Sequence, residues 1–373
     1  MADTPSPSLD AIRVLRALKW HHNVLLSGPP ATGKSRLLVE VARWFAVSAS
    51  PGHDPGGPIP LPEGLVVTPE QAADWLPSPE RTDRQVFQTA FHQGSKYREF
   101  LRGLVPEIGT SKQQFVVSEG ILYRASLIGL TPDGAALLII DEVNRGPAVQ
   151  VFGDSIVALE GDKRLSADGE PTETTEFFEL LQDDGTMEPF ALPDALYVLA
   201  AMNQADTSVE PLDVAFQRRF EPVGLEPDES VLTEFFGLSG EEPIPEEPRQ
   251  GLHVYAAAIR AWARINSRLA LGRGLEYQIG HGIFLDQTGS DPPNEVEGAL
   301  SYVRSPWDRI RAHVDEVFFG HARGVAAVLN AGAPGHPVTL IETFFAGEPV
   351  VALSQTSDDL YALLRSVGAE DAS

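Results

Sequence analysis

Val24 to Leu26 runs apolar without interruption, and from Arg36 to Val47 apolar residues recur at Leu37, Leu38, Val41, Ala42 and Phe45. The first pattern predicts a buried strand and the second a helix that buries one stripe. Upstream, Ser8 to Trp20 places Ile12, Leu15, Leu18 and Trp20 near one face, which predicts a short amphipathic helix. Gln85 to Phe91 alternates apolar and polar positions as a strand does. Ala135 to Ile140 and Leu196 to Met202 are continuous apolar runs of the kind buried on both faces of a parallel sheet. Between them Pro147 to Leu159 reads as a helix, and Leu212 to Gln217 reads as another. Strands alternating with helices predict an α/β core with right-handed crossovers.

The breaks in the pattern divide the chain. Residues 48–84 are dense in Pro and Gly, including Pro51-Gly52 and Pro55-Gly56-Gly57-Pro58. So long a connection is expected to be an insertion with structure of its own or with a surface role. Asp162 to Asp184 is polar and reads as an exposed hairpin or loop excursion. Beyond Glu221-Pro222-Val223 the composition changes: Glu241 to Pro248 is a Pro/Glu linker, and Leu252 to Leu271 and Trp307 to Asn330 read as helices. The expected organisation is an α/β domain over 1–225 and a smaller helical region over 226–373.

Hydrophobic content of 43% in 373 residues is ordinary for a globular chain, but a net charge of −25 is not. Such a surface repels phosphate backbones and anionic lipid, so nucleic-acid contact would need a local basic patch or a partner. With no cysteine, disulfides, thiolate catalysis and cysteine zinc sites are excluded, and a reducing compartment fits. Met1 to Asp10 is polar, and no apolar run approaches transmembrane length; a cytoplasmic protein without membrane association is expected.

Candidate chemistry begins directly after the first predicted strand. Gly28-Pro29-Pro30-Ala31-Thr32-Gly33-Lys34-Ser35 matches the eight-position phosphate-binding loop, followed by Arg36 in the next helix. Its glycines let successive amides face an anion, and the helix dipole points its positive end the same way. Lys34 is placed to reach the outer phosphates and Ser35 to bind Mg²⁺. Asp141 and Glu142 end a buried strand, where a ligand outside the sheet's carboxyl edge would meet them; Asp141 can hold Mg²⁺ and Glu142 can activate water. Acidic residues at a strand end also serve as helix caps. Asn203 ends the next apolar run, positioned either to contact the γ-phosphate or water, or to form a turn. Arg218 and Arg219 stand out in so acidic a chain, either as stabilisers of transferring phosphate across a subunit boundary or as a solvated pair at a helix end.

Taken in order, these residues resemble the AAA+ NTPases, and within them the McrB branch, the motor subunits of modification-dependent restriction systems. The resemblance spans about residues 22 to 286. Its landmarks are Gly28 to Ser35, Ile140-Asp141-Glu142-Val143-Asn144-Arg145-Gly146, Leu192 to Tyr197 running into Met202-Asn203-Gln204-Ala205-Asp206, Leu212 to Phe220, and Gln278-Ile279-Gly280-His281. Phe91 to Phe100 is also similar to a stretch of that branch. The resemblance implies a P-loop NTPase core with a helical lid, Mg²⁺ and ATP or GTP as substrate, and a homo-hexameric ring. It makes Asn203 a sensor, Arg218 and Arg219 trans-acting arginines, and Arg145 and Asp206 further site or interface residues. His281 would lie in the lid near the nucleotide, either touching it or serving as a cap or core imidazole.

The pattern departs from the branch at Gln204 and Thr207, which leaves the base preference, ATP against GTP, and part of the interface open. With 27 residues before Gly28, the N-terminal DNA-reading domain of the branch's best-known member is not expected here. The leading expectation is a ring-forming NTPase that drives a McrC-like nuclease in bacterial defence, touching DNA only through that partner. A MoxR-type chaperone acting on a protein client, and a nucleotide-gated scaffold, are the alternatives.

Overall fold

In a computed structural model, structure is described for residues 6–47, 72–106, 115–205, 212–240, 242–285, 291–332, 335–346 and 348–370. By contact they fall into two units. One is drawn from Met1–Ser27 and Lys34–Gly224, the other from Gly28–Gly33 and Leu225–Ser373.

The first unit opens with α1 (Leu9–His21), capped by Ser8, whose side chain accepts from the Ala11 amide; the helix buries Ala11, Val14, Leu15 and Leu18. Next come β1 (Asn23–Gly28) and α2 (Lys34–Ala46), which buries Leu37, Leu38, Val41 and Phe45, the stripe its sequence marks. After β2 (Asp83–Ala90), the short α3 (Tyr97–Phe100) leads into a hairpin of β3 (Arg102–Pro106) and β4 (Phe115–Glu119). Then follow α4 (Ile121–Gly129), β5 (Gly134–Asp141), α5 (Ala148–Phe152), α6 (Ser155–Ala158), and a second hairpin of β6 (Phe178–Leu181) and β7 (Met187–Phe190). β8 (Leu196–Asn203), α7 (Val214–Gln217) and β9 (Glu221–Gly224) complete the unit.

Five strands form a parallel sheet in the order β2-β5-β8-β1-β9. β5 and β8 occupy its middle, and Leu137, Leu138, Ile140, Val198 and Leu199 are fully buried there. Each such side chain contributes roughly 1.5–3 kcal/mol on burial, which fixes the register of the strands that deliver the polar residues. Thr89 pairs with Ile140 and Ala90 with Asp141, while Ile140 pairs with Ala200 on the other side. The carboxyl ends of a parallel sheet share one edge, so the residues ending β5 and β8 emerge together.

In the second unit α8 (Glu229–Phe235) precedes the 22-residue α9 (Gly251–Gly272). Around α9 lie α10 (Gly282–Leu285), α11 (Val296–Val317), α12 (Ala322–Val328) and α13 (Leu360–Gly368). Trp262, Ile265 and Leu269 join Trp307, Ile310, Leu363 and Leu364 in one buried cluster. A separate antiparallel hairpin pairs β10 (Val338–Phe345) with β11 (Glu348–Gln355).

Several expectations need correction. The helix expected over 147–159 is two short ones, because Gly153 takes φ +54° and a Cβ there would lie 2.7 Å from the Tyr97 ring. The helix expected over 307–330 starts at Val296 and stops at Val317, with Gly320 at φ +73° turning the chain before α12. Of the hairpin or loop excursion expected over 162–184, residues 164–177 form loop and turns, and the hairpin begins only at Phe178 and runs to Phe190. Most of the 48–84 insertion, residues 48–71, lies outside the described residues, though Trp75 and Leu76 beyond it are buried. Among the described residues no helix is long and apolar enough to cross a membrane.

Candidate nucleotide site

Three of the six residues from Gly28 to Gly33 have positive φ. Gly28 takes φ +154°, and a Cβ there would sit 2.5 Å from the Leu225 carbonyl oxygen. Only glycine fits that approach. Gly33 takes φ +89° and Ala31 φ +62°, and the Thr32 hydroxyl closes the loop by donating to the Pro29 carbonyl at 2.9 Å. The chain then enters α2 at Lys34, so the first-turn amides and the helix dipole follow directly on the loop. Ser35 and Arg36 are exposed on that first turn.

Within the first unit, Lys34, Asp141 and Glu142 share one electrostatic neighbourhood. Burial lowers the Lys34 ammonium from 10.5 to about 8, while the charges of Glu142 and Asp141 pull it back up. Asp141 is tied to the edge strand through the Phe91 amide, which donates to its carbonyl at 3.1 Å. Its own Oδ1 accepts from the Glu142 amide at 2.9 Å.

Glu142 leaves β5 in the left-handed region, φ 51° and ψ 45°. Both its carboxylate oxygens are engaged. Oε1 accepts from Asn203 Nδ2 at 3.1 Å, and Oε2 from Arg145 Nε at 3.1 Å. Asn144 Nδ2 donates to the Asn203 carbonyl at 2.9 Å, fastening the end of β8 to the turn after β5. The Asn144 and Asn203 side-chain oxygens are buried with no hydrogen-bond partner among the described residues.

The structure therefore brings together Lys34, Asp141, Glu142, Arg145 and Asn203. It also adds Asn144, whose role sequence reading missed; its place in the Asp-Glu-Val-Asn-Arg run was the available signal. The hard oxygen donors Ser35 hydroxyl and Asp141 carboxylate fit a Mg²⁺ ion that completes its shell with phosphates and water.

The two arginines after α7 differ. Arg218 is exposed. The Arg219 side chain is 7% exposed, lies 3.4 Å from Glu160, and donates to the Ala215 carbonyl. Asp206 lies outside the described residues. In the second unit His281 Nδ1 accepts from the Asp228 amide at 3.2 Å.

The family described as the AAA domain (dynein-related subfamily) matches residues 78–220. That stretch carries Asp141, Glu142, Asn203 and Arg218; Gly28 to Ser35 precede it. The type IV methyl-directed restriction enzyme EcoKMcrB subunit of Escherichia coli (strain K12) is 28% identical over 276 residues, covering 73% of this chain and 49% of that protein. The type II restriction enzyme BsuMI component YdiS of Bacillus subtilis (strain 168) is 29% identical over 231 residues, 57% of this chain and 59% of that protein. The chain thus spans about half the length of the curated relatives it matches. Among solved structures, NtrX from Brucella abortus in complex with ADP aligns with 86% of this chain and 65% of its own at 14% identity, with a TM-score of 0.34.

Proposed function

We propose that the chain, whose residues 78–220 match the AAA domain and which is similar to an McrB restriction subunit, is a Mg²⁺-dependent nucleoside triphosphatase of AAA+ type acting on ATP or GTP. The observation that carries the proposal is the convergence of Lys34, Asp141 and Glu142, with Glu142 held on both oxygens by Asn203 and Arg145. In this reading the amides of Gly28 to Ser35 and the Lys34 ammonium hold the phosphates. Ser35 and Asp141 would hold the metal, which would supply charge neutralisation on the phosphoryl oxygens. Arg36, beside Ser35, adds a cation to the same helical turn. Glu142 takes a proton from water, and Asn203 fixes the carboxylate that does so.

The exposure of Arg218 supports turnover in a ring. An arginine reaching a neighbouring subunit's nucleotide must be free of its own chain, and Arg219, packed against Glu160, is less suited. We assign Arg218 the trans-acting role and Arg219 a supporting one, in a homo-hexamer of which Asp206 and Arg145 are interface or site residues. His281 belongs to the turn beside the loop. The two curated relatives are a subunit and a component of restriction enzymes, which supports a McrC-like nuclease as partner in bacterial defence. With a net charge of −25, the chain leaves DNA contact to that partner.

Phosphate release by the wild type and by Glu142→Gln tests the reading. The variant is expected to lose about 10²-fold or more in kcat while its nucleotide Kd stays within about threefold. Equal rates would remove Glu142 from the chemistry.

A further inference from the structure

We propose that Gly280 and Gly282 are positioning residues for the phosphate loop, their turn setting the loop backbone to receive the phosphates of a nucleoside triphosphate; the inference rests on the nucleotide-binding reading above. Loop and turn both belong to the second unit. The Gly280 amide donates to the Pro30 carbonyl at 2.8 Å, and the Gly282 amide to the Ala31 carbonyl at 2.8 Å. A trans peptide is planar, with its C=O and N–H directed oppositely. Fixing the carbonyls of Pro30 and Ala31 on the turn therefore directs the amides of Ala31 and Thr32 away from it, which is what a loop that binds anions through its amides requires.

The approach is too close for any side chain. A Cβ on Gly280 would lie 2.1 Å from the Ala31 carbonyl carbon and 2.2 Å from the Thr32 nitrogen, and one on Gly282 would lie 2.7 Å from the Ala31 oxygen. The atoms met are backbone, so no rotamer change relieves the clash. The two bonds also hold Ala31 at φ +62°, a region an L-residue keeps only when its surroundings impose it.

The turn is anchored to the buried face of α9. Trp262 Nε1 and Asn266 Nδ2 both donate to the Ile279 carbonyl at 2.8 Å, and Asn266 Oδ1 accepts from the Ile279 amide at 2.7 Å. Trp262 and Asn266 are 2% and 4% exposed. A fixed chain of contacts thus runs from the core helix through Ile279 to the loop carbonyls, independent of Lys34.

Equilibrium binding of N-methylanthraniloyl-ADP and steady-state hydrolysis by the full chain test this. In Gly280→Ala the Kd and the KM for triphosphate are expected to rise by about tenfold or more. The kcat at saturation should stay within about threefold, since Asp141, Glu142 and Asn203 are untouched. Gly332→Ala, a glycine with no heavy atom within 4 Å of its would-be Cβ, is the control and should match the wild type. If Gly280→Ala does not fold, Asn266→Ala, which keeps both glycines and loosens Ile279, is expected to show a smaller rise in Kd and KM in the same sense. A folded Gly280→Ala with wild-type Kd, or an Asn266→Ala with wild-type Kd where the first variant does not fold, overturns the inference. Wild-type chain that binds no nucleotide, or Lys34→Ala that binds as well as wild type, overturns the nucleotide reading and this inference with it.

Discussion

Replacing Lys34 by Met measures what the phosphate-gripping ammonium costs the nucleotide-free chain. Burial lowers that ammonium from 10.5 to about 8, with Glu142 and Asp141 only partly opposing the shift. At ~1.4 kcal/mol per pH unit, keeping Lys34 charged at neutral pH destabilises the fold by about 3 kcal/mol at most, and by about 2 after allowing for the solvated part of the side chain. Met keeps the unbranched stem and drops the charge. The sign follows from proton binding: between pH 8 and 10.5 the unfolded chain holds the Lys34 proton and the folded chain does not, so wild-type stability rises with pH relative to the variant. The penalty is complete below pH 8 and gone above about 10.5. Urea denaturation without nucleotide is expected to show Lys34→Met more stable by about 2 kcal/mol at pH 7, the gap closing as pH approaches 10.5. Saturating triphosphate at 100-fold over Kd should reverse the order by adding about 2.7 kcal/mol to the wild type alone. A variant no more stable than wild type at pH 7, or a gap that does not change with pH, would refute the burial of a charged Lys34.

Asn203→Ala removes the donor on Glu142 Oε1 and is expected to lower kcat about 10²-fold with KM little changed; phosphate release at saturating nucleotide reads this, and an unchanged kcat counts against it. Arg218→Ala is expected to lower kcat roughly 10³-fold and to inhibit wild-type subunits on mixing, whereas Arg219→Ala, which loses its Glu160 contact, is expected to lower stability by about 1 kcal/mol. Mixing curves that follow simple dilution would remove Arg218 from any trans role. The guanidinium of Arg84 donates to the carbonyls of Phe45, Ser78 and Pro77 at 2.6, 2.8 and 2.8 Å. Arg84→Leu strands those buried acceptors and should cost about 3 kcal/mol or more in urea denaturation; a loss below about 1 kcal/mol would show that water replaces them.

What the sequence reveals of this site follows chain contiguity. Gly28 to Ser35 is legible because the loop, the lysine and the helix start are consecutive, and Asp141-Glu142 because a buried run ends abruptly in charge. The Asn203 to Glu142 bond joins residues 61 positions apart and exists only because β5 and β8 are sheet neighbours, so their spacing carries no hint of it. The bonds from Gly280 and Gly282 to the loop join backbone to backbone; their trace in the sequence is the two glycines that the close approach demands, which do not say what they approach. In the fold, β10 is not legible because Leu340 and Ile341 are consecutive apolar residues and break the alternation; a strand without alternation looks like no strand. The break at Gly153, where φ is +54°, is weakly marked, since a lone glycine inside a helical pattern does not say that it takes that conformation, and the Tyr97 ring that packs against it is far away in sequence.

The most direct measurement is a crystal structure of the chain grown with Mg²⁺ and a non-hydrolysable nucleoside triphosphate. The outer phosphates should lie on the Lys34 Nζ and the amides of Gly28 to Ser35, with the metal between the Ser35 hydroxyl and the Asp141 carboxylate. Phosphates bound away from Lys34, or a metal that neither Ser35 nor Asp141 approaches, would contradict a shared triphosphate site.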